Sequence, residues 1–246
     1  MKTLSFRELA VGRGRNVLLK LDSQRDQTGM KPGVHLIVAP NGYGKTTLLQ
    51  TLAGVLPPVS GEMAWGDSLI RHGEDVLYVS EYLAFPKFIY PGEWIEFMSG
   101  RKFEGELKAE LKPWIDGFSL EPKLKSYLGR MSQGERRKTT WLAAHASRRP
   151  ILLLDEPLDG LDLLAIGAAR GLVSRWREEG RVVCIVAHQV GELIDLADEV
   201  WLMGEGKLRT WSSAIPASGA AQKLSAAEFR AQVLKYYSAT KPALPS

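Results

Sequence analysis

The 246 residues are 45% hydrophobic and 24% charged with a formal net charge of +4, an ordinary globular composition rather than a disordered one, with length for one large domain or a core with a subdomain. No apolar stretch approaches the roughly 18 residues of a membrane span, and Met1-Lys-Thr-Leu-Ser-Phe-Arg-Glu-Leu9 reaches charges too soon for a signal peptide. The basic residues are scattered rather than gathered into one long run, a balance that suits anionic ligands or a cytoplasmic membrane face.

In chain order, Val34 to Ala39 is a short run rich in Val, Ile and Leu that reads as a strand. It leads through Ala39-Pro-Asn-Gly-Tyr-Gly-Lys-Thr-Thr47 into a helical pattern with Leu48, Leu49 and Leu52 on one face, stopped by Gly54 before Pro57-Pro58. A second strand run covers Val76 to Ser80. From Tyr82 to about Arg130 the pattern turns aromatic-rich and interrupted by Pro and Gly, with helical pieces at Trp94 to Met98 and Leu107 to Trp114, so a helical subdomain is expected there. Strand runs resume at Ile151 to Leu154 and Val182 to Ala187. The second contains Cys184, the single cysteine, expected as a buried core thiol. Glu199 to Met203 and Lys207 to Trp211 flank Gly204-Glu-Gly206 as a hairpin. Beyond Ser212 there is one helical stretch, around Ala226 to Tyr237, and a terminal Pro/Ala segment expected to be mobile. Strands alternating with longer helices predict an α/β fold on a largely parallel sheet.

The glycine loop carries the first chemical signal. A nucleoside triphosphate needs many N–H donors close to its oxygens and a helix N-terminus whose dipole favours negative charge. Asn41, Gly42, Tyr43, Gly44, Lys45, Thr46 and Thr47 supply such a cradle. Lys45 would reach the β- and γ-phosphates of ATP, and the Thr46 hydroxyl would ligate Mg²⁺. The full pattern is G-x-x-x-x-G-K-[ST]. Ala39 stands where its first glycine would be, which brings the backbone torsions of the loop into question. The competing reading is a tight strand-to-helix turn with no chemical purpose.

The second signal is Ile151-Leu-Leu-Leu-Asp155-Glu156-Pro157, an apolar strand ending in two adjacent carboxylates. In a phosphate-loop ATPase, Asp155 would hold Mg²⁺, and Glu156 would orient or deprotonate the attacking water. Acidic pairs at strand ends are also common in loops; the position after Lys45 favours the catalytic reading.

With these parts in place, the chain from about Leu4 to Thr210 resembles a nucleotide-binding domain of the ATP-binding cassette family. Met131-Ser-Gln-Gly-Glu135 is similar to that family's signature, usually Leu-Ser-Gly-Gly-Gln. The resemblance implies a phosphate-loop α/β core with an antiparallel β subdomain (residues 1–81 and 149–212), an inserted helical subdomain (82–148) and a C-terminal extension (213–246). It implies that Ser132 and the backbone of Gly134 bind the γ-phosphate of ATP held by a second subunit. Helix Glu135 to Ala146 would present its N-terminus there, and Ser132 with Glu135 also fits an ordinary capping box. Leu158 to Asp162 resembles the family's D-loop, and His188 stands at its switch position, contacting the γ-phosphate. Pro57 to Glu62 and Trp201 to Lys207 resemble its connecting hairpins.

Besides Ala39, two positions depart from the family pattern. Glu81 replaces the usual glutamine beside the metal, and Arg13 stands where an aromatic ring commonly stacks on adenine. A carboxylate still ligates Mg²⁺, and a guanidinium plane stacks on a purine, though Arg13 equally suits solvent. The implied protein is an ATPase using Lys45, Glu156 and His188. It would dimerise head to tail, as a homodimer or with a close relative, and drive a separate integral membrane permease from the cytoplasmic face, with no nucleic-acid partner. The run Pro122 to Arg137 is similar to exporter cassettes, including the haem-exporter type; import is the alternative direction. Other readings are a soluble cassette acting on ribosomes or DNA, and a regulatory module without turnover.

Overall fold

The computed structural model describes residues 2–25, 28–80, 82–187, 190–214, 221 and 224–239. Its centre is set by three strands with no polar face: β3 (Gly33–Val38), β7 (Ile151–Asp155) and β8 (Val182–Val186) are buried at every residue. Such strands need cover on both sides, which a parallel sheet between two layers provides. With β6 (Val76–Val79), β9 (Glu199–Gly204) and β10 (Lys207–Thr210), they form a six-stranded sheet of order β10-β9-β3-β8-β7-β6. All neighbours in it are parallel except β9 and β10. Those two pair as a hairpin with Lys207 opposite Gly204, so Glu205-Gly206 is a two-residue turn. Both turn residues have positive φ, 51° and 73°, as a type I′ turn requires.

Alternation along the strands divides the core. Val34, Leu36, Leu152, Leu154, Val183 and Ile185 face one layer, formed by α3 (Pro91–Ser99), α4 (Gly105–Gly117), α5 (Gln133–Ala146) and α6 (Leu163–Glu178). Ile37, Ile151, Leu153, Val182, Cys184 and Val186 face the other, where α1 (Lys45–Leu52) meets an antiparallel sheet of order β2-β1-β4-β5. These strands are β1 (Leu4–Arg13), β2 (Asn16–Leu21), β4 (Ser60–Trp65) and β5 (Ser68–Leu69). Cys184 is wholly buried, with its Sγ 3.3 Å from Met30 Sδ, and burial pushes its thiol up to about 12. That is a core thiol.

The remaining helices are α2 (His72–Asp75), α7 (Trp211–Ala214) and α8 (Ala226–Ala239). Helices α3, α4 and α5 all fall between β6 and β7, and Gly54 closes α1 with φ of 73°. One connection differs from expectation. Pro57 to Glu62 is not itself a hairpin but leads into β4, and the turn follows at Gly66-Asp67, where Trp65 pairs with Ser68. Residues 240–246, which include the Pro/Ala segment, lie outside the described residues.

Candidate nucleotide-binding site

The site is assembled at the carboxyl ends of β3, β7 and β8, where an open α/β sheet leaves a crevice for ligands. After Val38 the chain turns through Gly42 and Gly44, whose φ angles of 82° and 91° lie in the region that favours glycine. Gly44 caps α1 and leaves the first N–H groups of that helix facing the loop. Ala39 is absent from the positive-φ positions, so the backbone torsion there does not require glycine. Asn41 is exposed, Tyr43 and Thr46 are half-buried, and Thr47 is buried on α1.

Lys45 is only 8% exposed, and its Nζ donates to the carbonyls of Ala39 (2.8 Å) and Pro40 (3.3 Å). Burial lowers its pKa, while Glu156 and Asp155 oppose that shift. The three charged groups therefore share one space. Asp155 ends β7 at 1% exposure, and the Tyr78 hydroxyl donates to its Oδ2 at 3.1 Å. Burial raises that phenol to about 12, so it stays protonated as a donor. Glu156, 4% exposed, adopts φ of 47°, a left-handed conformation uncommon for a side chain of its size. Its N–H donates to Val186 O at 2.8 Å, fastening the turn to β8.

Helix α5 braces the same turn. Arg137, 7% exposed, donates through Nη1 to the carbonyls of Glu156 (2.7 Å) and Asp159 (2.8 Å). The Trp141 indole donates to Pro157 O at 3.1 Å, and Lys138 pairs with Asp162 at 2.6 Å. Asp162 in turn caps α6 by accepting from Ala165 N at 2.9 Å. A Cβ on Gly134 would stand 2.5 Å from Gly160 O, so glycine is required for this approach.

Ser132 caps α5 in a reciprocal box: its Oγ accepts from Glu135 N (3.2 Å), and its own N–H donates to Glu135 Oε2 (2.8 Å). The structure thus brings Lys45, Asp155 and Glu156 together. Among the described residues, no hydrogen bond or ion pair joins Ser132 or Gly134 to the phosphate loop. Arg13 is exposed at the end of β1; the half-exposed Leu18 approaches the loop, its Cδ1 3.0 Å from where a Cβ on Gly44 would stand. Glu81 and His188 lie outside the described residues. Sequence reasoning had not singled out Tyr78, Arg137, Trp141 or Leu18.

A strand, a glycine loop and a helix beside a buried acidic strand end define a phosphate-loop nucleotide-binding core. The chain belongs to the ABC transporter family, whose model matches residues 28–159. It is 32% identical over 70% of its length to the aliphatic sulfonates import ATP-binding protein SsuB of Yersinia pestis bv. Antiqua (strain Antiqua), of which the match spans 63%. It is 30% identical to the cytochrome c biogenesis ATP-binding export protein CcmA of Ruegeria pomeroyi, over 84% of this chain and 93% of that one. In fold, the solved ATP-binding subunit of an ABC transporter matches 94% of this chain and 99% of its own with a TM-score of 0.77, at 19% identity. Within its family the chain corresponds to the ATP-binding domain.

Proposed function

We propose that this subunit hydrolyses ATP in a head-to-tail dimer and thereby drives a separate membrane permease in the direction of export. The observation that carries the reading is the burial of Lys45, Asp155 and Glu156 in one space at the strand ends, with Glu156 held in a left-handed turn. Structural carboxylates gain nothing from such desolvation. Backbone strain of this kind concentrates at functional sites.

The N–H groups of Gly42 to Thr46 cradle the β- and γ-phosphates, and Lys45 exchanges its loop carbonyls for phosphate oxygens. Asp155 and Glu156 against Lys45 leave one net negative charge, which suits a divalent cation. Thr46 and Asp155 would hold Mg²⁺. Bound Mg²⁺ neutralises charge developing on the transferred phosphoryl group. Glu156 orients or deprotonates the attacking water, and His188 holds that geometry at the γ-phosphate. Ser132 and Gly134 serve the nucleotide of the other subunit. Glu81 senses the metal, and Arg13 stacks on adenine or faces solvent. The inserted segment 82–148 transmits the work, between core segments 1–81 and 149–212, with 213–246 as an extension.

No helix among the described residues is long and apolar enough to cross a membrane. A docking face for a permease is supplied by aromatic side chains on the inserted segment: Tyr82, Phe88 and Phe97 are 81%, 82% and 76% exposed. The near full-length correspondence with CcmA supports export. The SsuB likeness favours import as the second reading. Steady-state phosphate release by the full chain, with Glu156→Gln as control, tests turnover: equal rates in both would refute it. Purification from native membranes with a multi-span partner tests coupling, and a permease-free cytosolic complex would refute that. Glu81→Gln is expected to shift the Mg²⁺ dependence of turnover; an unchanged dependence removes Glu81 from the metal site.

A further inference from the structure

Beyond the core, α8 returns to the root of the phosphate loop, across 199 residues of sequence. The helix is anchored at both ends. Ser225 and Glu228 form a reciprocal cap at its start, where Ser225 N donates to Glu228 Oε2 (2.9 Å) and Glu228 N to Ser225 Oγ (3.3 Å). There it lies against Gly191, whose Cβ would stand 2.8 Å from that of Ala226. Phe229, 1% exposed, stacks on Trp211 with ring centroids 4.9 Å apart. At the far end, the Tyr237 hydroxyl lies 2.8 Å from Val38 O and 3.0 Å from Met203 O. Its ring meets Tyr43 of the phosphate loop edge-on at 5.8 Å.

Val38 is the last residue of β3, and the next two carbonyls, of Ala39 and Pro40, are those that Lys45 holds. Three successive carbonyls at the root of the loop are therefore tied down, one by Tyr237 and two by Lys45. On the proposed reading of the site, Lys45 must leave both to reach a phosphate. The tie from Tyr237 to Val38 remains.

We infer that Tyr237 is a positioning residue for the phosphate loop, holding its root in the nucleotide-binding conformation through the Val38 carbonyl and the Tyr43 ring. Burial keeps the phenol protonated, with its pKa raised above the ordinary value, so the donor survives throughout the working pH range. The hydroxyl has one proton and two carbonyls within reach, and the Val38 carbonyl is the nearer of them.

The test uses the full chain. Tyr237→Phe removes the hydroxyl and keeps the ring, and ATP affinity is measured by titration alongside KM and kcat for hydrolysis. The expected result is a rise of about three- to tenfold in Kd and KM for ATP, the effect of one buried hydrogen bond, with kcat within twofold and a smaller change on restoring polarity in Tyr237→Gln than in Tyr237→Phe. Lys45→Met is run beside it. If Lys45→Met abolishes ATP binding while Tyr237→Phe and Tyr237→Ala both bind as the wild type does, the inference is overturned. If Lys45→Met itself binds normally, the reading of the loop fails, whatever Tyr237 does. A fall in melting temperature with unchanged ATP affinity assigns Tyr237 a purely structural role, which also overturns it.

Discussion

Replacing Arg137 by Met removes the brace under the Glu156 turn while keeping an unbranched side chain of similar reach. Arg137 supplies charged donors to the carbonyls of Glu156 and Asp159, at 2.7 and 2.8 Å. Leaving a buried acceptor unsatisfied costs about 1–3 kcal/mol. The two sites are not independent, since they belong to one turn, and Glu156 O retains the amide of Asp159 at 3.3 Å. A loss of about 3 kcal/mol is therefore expected for the pair. In a domain of this size each kcal/mol moves the melting temperature by about 2–4 °C, giving a fall of roughly 6–12 °C. The effect on turnover is larger than stability alone predicts. Glu156 holds a strained left-handed φ, a conformation that costs about 1–3 kcal/mol and persists only while its surroundings impose it. Once the brace is gone the turn relaxes, and displacement of a catalytic group by an ångström costs about 100-fold. Phosphate release at saturating ATP should fall about ten- to 100-fold, with ATP affinity within about twofold of wild type because Lys45 and its loop are untouched. Scanning calorimetry and steady-state turnover measure the two effects. A variant that loses stability as expected but turns over within twofold of wild type would refute the argument.

Three further changes probe the same framework. His145 is buried, accepts from the Trp176 indole at 3.1 Å through Nδ1, and has its pKa lowered to about 4 by desolvation. A folded-state value below the unfolded one means that stability is fully present above about pH 6.5 and is lost as pH falls from there toward 4. The wild type should lose about 3 kcal/mol more than His145→Gln over that window, at about 1.4 kcal/mol per unit; parallel urea-denaturation curves across pH would contradict it. Gly134→Ala places a Cβ 2.5 Å from Gly160 O, so α5 must move off the turn. Turnover should fall at least tenfold with ATP affinity retained, and wild-type turnover would show that the contact yields freely. Ala39→Gly restores the usual first glycine where no positive φ requires it, so KM for ATP should stay within about twofold and stability should drop by about 0.5–1 kcal/mol. A marked gain in affinity would show that the alanine distorts the loop.

The parts legible in the sequence are those written as contiguous strings under a steric or solvation constraint. β7 and β8 announce themselves because a strand buried on both faces reads as a near-continuous apolar run. The loop announces itself because Gly42 and Gly44 need φ angles that other residues avoid. The signature segment was readable as a helix start because Ser132 and Glu135 satisfy each other's backbone groups, and the structure contains that box. What was not legible works through pairings the chain order hides. Tyr78 meets Asp155 across 77 residues, by adjacency of β6 and β7, and Tyr237 reaches Val38 across 199. Leu18 comes to Gly44 because β1 and β2 lie over the loop, and nothing local distinguishes it from other strand leucines.

Helix α5 shows why the brace escaped a reading based on hydrophobic period. Gly134, Arg137, Lys138 and Trp141 follow the spacing i, i+3, i+4, i+7, so they share one face. In an ordinary amphipathic helix that stripe would be apolar and would signal burial. Here it is a glycine, two cations and an indole, because the surface it meets includes the backbone polar groups of the turn from Glu156 to Asp162, while the Trp141 ring also stacks on Trp176. The carbonyls of Glu156, Pro157 and Asp159 and the carboxylate of Asp162 demand donors, and the Gly160 carbonyl demands space. Arg137 answers two of those demands and the other three positions one each. A polar stripe at helical spacing is therefore read correctly only after its partner is known, since the same four residues facing water would have no function at all.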